Sequence, residues 1–208
     1  MRANIRGQWI MWLGLVLGLV AMAIGHAWGN DTSEQWQLAA RYTARVGFPL
    51  LILAYVARPL VELRKYPWAN PLLARRRWIG LGFAMSHTVH LYCLITYFRV
   101  SDDRPETGVL LVGGVAYVTL YLMAFTSNAA AMRMLGKSWK KLHRFGIHLL
   151  WLVFAFSYLG RLADPDPDRQ IIGLIFFPIA LIAAAIRFRA WARPSRRRVP
   201  GNSTRSCG

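Results

Sequence analysis

His87 and His90 stand three residues apart in "SHTVHLYC", inside an apolar run that begins at Trp78 and ends at Phe98. Imidazole is costly within a membrane span unless something binds it. Positions i and i+3 of a helix share a face, so both rings can look into a bundle. Two further histidines, His143 and His148, lie in "KKLHRFGIHLLW", at the head of a later apolar run. Neutral imidazole ligates haem iron axially, and facing histidines on two apolar helices make a natural b-type haem pocket. Simpler roles stay open. His87 can hydrogen-bond a carbonyl one turn back, and His143, flanked by Lys141 and Arg144, suits a solvated or headgroup-contacting residue.

Depth constrains the pairing. At a rise of ~1.5 Å per residue from Arg77, His87 lies ~15 Å and His90 ~20 Å into the membrane. Counted from Arg144 at the same face, His148 lies only ~6 Å in and His143 at the boundary. No pair is level, although tilt can bring His87 towards His148 and hardly His90 towards His143.

The elements that must position these rings are apolar runs: Trp9 to Trp28, Val46 to Leu63, Trp78 to Phe98, Gly108 to Phe125, Phe145 to Leu162 and Ile171 to Ile186. Most approach the ~20 residues a bilayer requires, and in lipid a spanning backbone must satisfy its own polar groups as a helix. The expected fold is an all-α integral membrane bundle of about six transmembrane helices. Basic clusters follow the second run (Arg58, Arg64, Lys65, Arg75 to Arg77), the fourth (Arg133 to Arg144) and the sixth (Arg187 to Arg198). The intervening loops carry Asp31 and Glu34, then Asp102, Asp103 and Glu106, then Asp164, Asp166 and Asp168. By the positive-inside rule both termini are cytoplasmic. A rival reading of the first run is a signal peptide, with "MRANIRGQW" as its basic start and "AMA" as its cleavage site. Because the run continues apolar past that site, a retained span is expected.

The chain is 55% hydrophobic with a formal charge of +17, which fits a membrane protein with basic loops. The cations cluster at the ends of apolar runs and form no basic and aromatic platform, so no nucleic-acid partner is expected. Cys93 and Cys207 have no metal-type spacing. Gly113 and Gly114 suggest a close helix approach in the fourth run.

Two stretches resemble a known family. "RRWIGLGFAMSHTVH", with Arg76, Arg77, Gly80, Leu81 and His90, and "FTSNAAAMRMLGKSWKKLHR", with Thr126, Ser127, Leu135, Gly136, Trp139, Leu142, His143 and Arg144, are similar to the ferric reductase-like transmembrane domain. Within it the chain most resembles the haem-binding membrane subunit of the periplasmic methionine sulfoxide reductase system. That resemblance covers nearly the whole chain and makes residues 1–190 a haem-binding transmembrane domain; the cytoplasmic tail, 191–208, basic and rich in Arg, Ser, Gly and Pro, is expected by its composition to be disordered and to touch anionic membrane lipid. It implies haem b in a bacterial inner membrane, with FMN or quinone as a further cofactor. Electrons would pass from a cytoplasmic-side flavin reductase or quinol to a periplasmic oxidoreductase, such as a molybdenum-containing sulfoxide reductase. The chain would then be a redox subunit rather than a self-contained enzyme.

Carried over by position, His90 is the ligand on the third span and His143 the first histidine of the fifth. The resemblance implies another histidine thirteen residues after His143, where this chain has Phe156. His87 and His148 are therefore additional candidates for haem iron. Arg77, with Arg76, can offer a guanidinium fork to haem propionates or to phosphate, or serve as a positive-inside anchor. Two other functions remain: a histidine-based proton or ion transporter, which the near absence of acids within the spans disfavours, and a haem-free membrane scaffold.

Overall fold

The computed structural model describes residues 7–63 and 67–193. Arg64, Lys65, the basic start before position 7, the tail beyond 193 and Cys207 lie outside the described residues. Six helices are long and apolar enough to cross a membrane. They are α1 (Gln8–Trp28), α2 (Thr32–Leu63), α3 (Ala69–Val100), α4 (Thr107–Phe125), α5 (Ala129–Gly160) and α6 (Pro167–Trp191), with a 3-10 turn at Arg161–Ala163 before α6. No strand occurs among the described residues. The helices alternate in direction, so the bundle has a basic end, where Arg193 donates to the Leu63 carbonyl, and an acidic end carrying Asp31, Asp102 and Asp164.

Three helices extend well before their apolar runs. α2 begins at Thr32, where the Asp31 carboxylate accepts from the Glu34 amide (2.9 Å) and Glu34 in turn accepts from the Asn30 amide (2.8 Å), a reciprocal helix-start cap. Its first turns are amphipathic. Ala39, Ala40 and Thr43 are buried while Glu34, Gln37 and Arg41 are at least partly exposed, which hides the helix from a hydropathy reading. α5 starts at an Asn128 cap (2.8 Å to the Ala131 amide) and bends at Gly136, whose φ of 48° is open to glycine. A short basic arm thus precedes the span that carries His143 and His148.

α1, α2 and α3 form the tightest packing in the molecule. α1 buries Ile10, Gly14, Gly18, Ala21 and Gly25, a stripe of small residues at helical spacing. A Cβ on Gly14 would lie 2.3 Å from the Gly82 carbonyl oxygen of α3, so the two backbones touch there. Gly113 and Gly114 of α4 behave differently from the sequence expectation, because a Cβ on either meets nothing within 4 Å. Their lack of side chain leaves open space instead of admitting another helix. Packed mainly against α5, α4 meets α3 only sparsely.

Prolines inside α2 create carbonyls that need outside partners. Pro59 has no N–H to give the Tyr55 carbonyl one turn back, and Arg187 of α6 donates there instead (2.9 Å). The guanidinium also lies over the Tyr55 ring, 4.5 Å from its centroid, which ties α6 to α2.

Candidate functional site

The sparse meeting of α3 and α4 leaves a cleft of about 160 Å³, walled by α3, α4 and α5 with Ala44 of α2. Its polar walls are His87 and His90 of α3, Tyr117 of α4 and Ser157 of α5; the rest is apolar, including Leu120, Leu150 and Phe154. The two imidazoles lie side by side, 5.2 Å between ring centroids. Both look out from one wall, as their i, i+3 spacing requires.

His90 is set by a neighbour 47 positions away. Its Nδ1 lies 3.0 Å from Thr43 Oγ1, and the Ala40 carbonyl is a second hydrogen-bond partner. Thr43 has one hydroxyl proton, committed to the Ala39 and Ala40 carbonyls at 2.8 and 3.0 Å. With that proton kept on its own helix the oxygen accepts, and the tautomer that matches carries its proton on His90 Nδ1. The lone pair is left on Nε2. A ligating histidine is held in this way, with the ring nitrogen opposite the metal donating to an outer partner.

His87 is 6% exposed and lies among rings: Phe83 at 4.2 Å, Phe154 at 5.4 Å and Tyr117 at 6.4 Å. Gly47 of α2 makes the room, since a Cβ there would lie 2.1 Å from the imidazole. Its Nδ1 is buried without a hydrogen-bond partner, as is the Tyr117 hydroxyl on the facing wall. The Tyr117 hydroxyl lines the cleft, and an orphaned polar atom there is costly unless a ligand supplies a partner, whereas His87 Nδ1 is packed against Gly47 of α2.

The histidines of α5 stand elsewhere. His143 stacks on Trp139 at 4.1 Å, and its ring nitrogens face the Trp139 carbonyl (3.2 Å) and Ser127 Oγ (3.4 Å). Trp139 also donates to the Thr126 carbonyl (2.9 Å), so four residues of the "FTSN…KLHR" stretch interlock at the basic end. Between this cluster and the cleft α4 crosses α5 closely, with Gly146 against Thr119 and Met123. His148 points away from the cleft and is exposed, its Nδ1 3.2 Å from the Tyr55 hydroxyl. Phe156 is 63% exposed on the outer face of α5, so the position where a second ligand was expected does not face His90. The α5 residues that do face the cleft are Leu150, Val153, Phe154 and Ser157.

Arg77 lies over the Trp78 ring at the basic end, and Arg76 donates to the Ala54 carbonyl (2.8 Å); neither lines the cleft. Arginines that the sequence reading passed over stand near its acidic end. Arg161 lies close enough to act electrostatically on His90, and Arg45 Nε is buried without a hydrogen-bond partner. The signal for Arg45 was visible as "RYTAR", two arginines one turn apart beside an apolar run. Cys93 is buried with Ala39, Ala40 and Val89, outside the cleft. Among the described residues no group of three or more His, Cys, Asp or Glu gathers to hold a bare metal ion.

No solved structure matches the chain. The family described as ferric reductase like transmembrane component does match, over residues 40–155, a stretch that includes the wall bearing His87 and His90 and most of the α5 wall opposite. With more than half its length so matched, the chain belongs to the ferric reductase-like transmembrane family.

Proposed function

We propose that this protein is a membrane electron-transfer subunit that binds haem b in the cleft between α3, α4 and α5. The observation that carries the reading is His90, which lines the cleft with its Nδ1 3.0 Å from the Thr43 hydroxyl, a contact that in the Nδ1–H tautomer leaves the Nε2 lone pair for a ligand. The residues present fit the group. The match is one of chemistry: an imidazole, a partnerless Tyr117 hydroxyl and otherwise apolar walls, with open space beside Gly113 into which the cleft of about 160 Å³ would widen around a flat ring system. Among the described residues no arginine lines the cleft; Arg45 and Arg161, over the Tyr42 and Tyr158 rings, are cations towards its acidic end to which propionates could turn, as Arg77 is at the basic end. When bound, haem supplies one-electron redox chemistry.

The chain's own residues do the rest. His90 holds and orients, Phe83, Phe154 and Leu120 exclude water, and the arginines balance carboxylate charge. On this reading the donor acts at the basic, cytoplasmic end: a flavin reductase with FMN, or a quinol. The acceptor, on the opposite side of a bacterial inner membrane, is a periplasmic oxidoreductase of the sulfoxide reductase kind. Family membership and the placement of the cleft support this reading, while the partners follow from the resemblance alone.

The test is purification in mild detergent with reduced-minus-oxidised spectra and a pyridine haemochrome count. Wild type is expected to show a b-type spectrum that His90→Ala abolishes and that His143→Ala and His148→Ala retain. Colourless protein after expression with ample haem supply would overturn the proposal and favour a scaffold.

A further inference from the structure

Two imidazoles on successive turns of one helix leave from the same wall, so they cannot address opposite faces of one flat ring system. A second protein ligand has to come from the facing walls. On α5 those positions are Leu150, Val153, Phe154 and Ser157, on α4 Gly113, Ala116, Tyr117 and Leu120; none is a histidine, cysteine or methionine, and Tyr117, a phenol in an apolar wall where a phenolate would be costly, keeps its proton and is a donor rather than a ligand. His143 lies beyond the α4–α5 crossing at Gly146, and His148 is turned to the outer surface and engaged with Tyr55. Phe156 faces outward, so even the expected register offers nothing.

We infer that the haem site is held by imidazole from α3 alone and keeps one axial position open to a small exogenous ligand, with the Tyr117 hydroxyl as the hydrogen-bond donor available to it. This rests on the haem-binding reading above. Tyr117 is suited to the task because its hydroxyl lines the cleft, is buried and has no hydrogen-bond partner among the described residues. A phenol in an apolar pocket donates strongly to a bound polar atom, since no water competes. The ligand class is a neutral diatomic gas: the walls are apolar, and such gases dissolve well in the apolar interior of a membrane. An ionic ligand would pay desolvation there.

The test uses the full-length haem-loaded protein in detergent. Dithionite-reduced protein is exposed to carbon monoxide, with difference spectra and infrared detection of the bound C–O stretch. The expected result is a carbon monoxide adduct at about one per haem, with reduced protein that is five-coordinate before addition. Tyr117→Phe is expected to keep its haem but to release carbon monoxide several-fold faster and to shift the C–O stretch. Phe156→His, which places an imidazole at the spacing implied by the resemblance, is expected to leave carbon monoxide binding unchanged.

Haem that is present but six-coordinate and inert to carbon monoxide overturns the open position while sparing the haem-binding reading. Loss of carbon monoxide binding in Phe156→His overturns the outward placement of that position and the inference with it. An unaltered release rate and C–O stretch in Tyr117→Phe removes the role of the phenol. Protein without haem overturns both the reading and this inference.

Discussion

The chemistry of the cleft turns on one proton, that of His90 Nδ1. A lone imidazole can present either nitrogen, but here the Thr43 hydroxyl has two carbonyls of its own helix to donate to, which favours acceptance from the ring. Nothing in the spacing of His87 and His90 distinguishes them as ligands; the distinction lies on α2, in Thr43 for one ring and Gly47 for the other. Thr43→Val keeps the branched shape and removes the acceptor, while Thr43→Ser restores it. Loss of such an outer partner typically costs 10- to 100-fold in metal affinity, so Thr43→Val is expected to fall by about that factor in a haem titration, with Thr43→Ser close to wild type. Equal haem affinity in all three would reduce Thr43 to a hydroxyl bound to its own helix.

Glycine means opposite things on two elements of this bundle. On α1 the Gly14, Gly18 and Gly25 stripe is filled by the backbones of α3 and α2, whereas Gly113 and Gly114 of α4 face open space. Gly14→Val must push two backbones apart, an overpacking cost of about 1–3 kcal/mol. Gly114→Val meets no neighbour and should stay within about 0.5 kcal/mol of wild type. Thermal unfolding in detergent checks the pair: a clear loss of Tm for the α1 variant and almost none for the α4 variant. Similar losses in both would mean that α4 packs as tightly as α1. The same contrast marks what could be read from sequence. Apolar runs sufficed to count six helices, because length and hydropathy are local properties. The amphipathic start of α2 was invisible to them, since Ala39, Ala40 and Thr43 are buried by α1 and α3 rather than by lipid. The cleft face of α5 was equally hidden. Helical rotation puts Phe154 in the cleft and Phe156 outside it, a difference of two positions that spacing counted along the sequence from His143 does not assign to a face.

At the scale of the whole molecule the question is direction. The cleft is displaced towards the acidic end, since Leu94, Gly113 and Ser157 lie near the ends of α3, α4 and α5 that carry the acidic loops. Arg58, Arg75 to Arg77, Lys137 to Arg144 and Arg187 to Arg193 gather at the other end. If the basic end is cytoplasmic, as the positive-inside rule requires, an electron leaves the cleft on the outer side, close to an external acceptor. Reversed insertion would put the same cleft beside the cytoplasmic donor. Two single-cysteine variants in a Cys207→Ser background decide between these, because Cys93 is buried. In intact cells a membrane-impermeant thiol reagent is expected to label Asp102→Cys at once and Lys140→Cys only after permeabilisation. The reverse pattern would leave the cleft unchanged yet exchange the sides of the proposed donor and acceptor, so orientation sets the direction of the proposed electron flow independently of what ligates the haem.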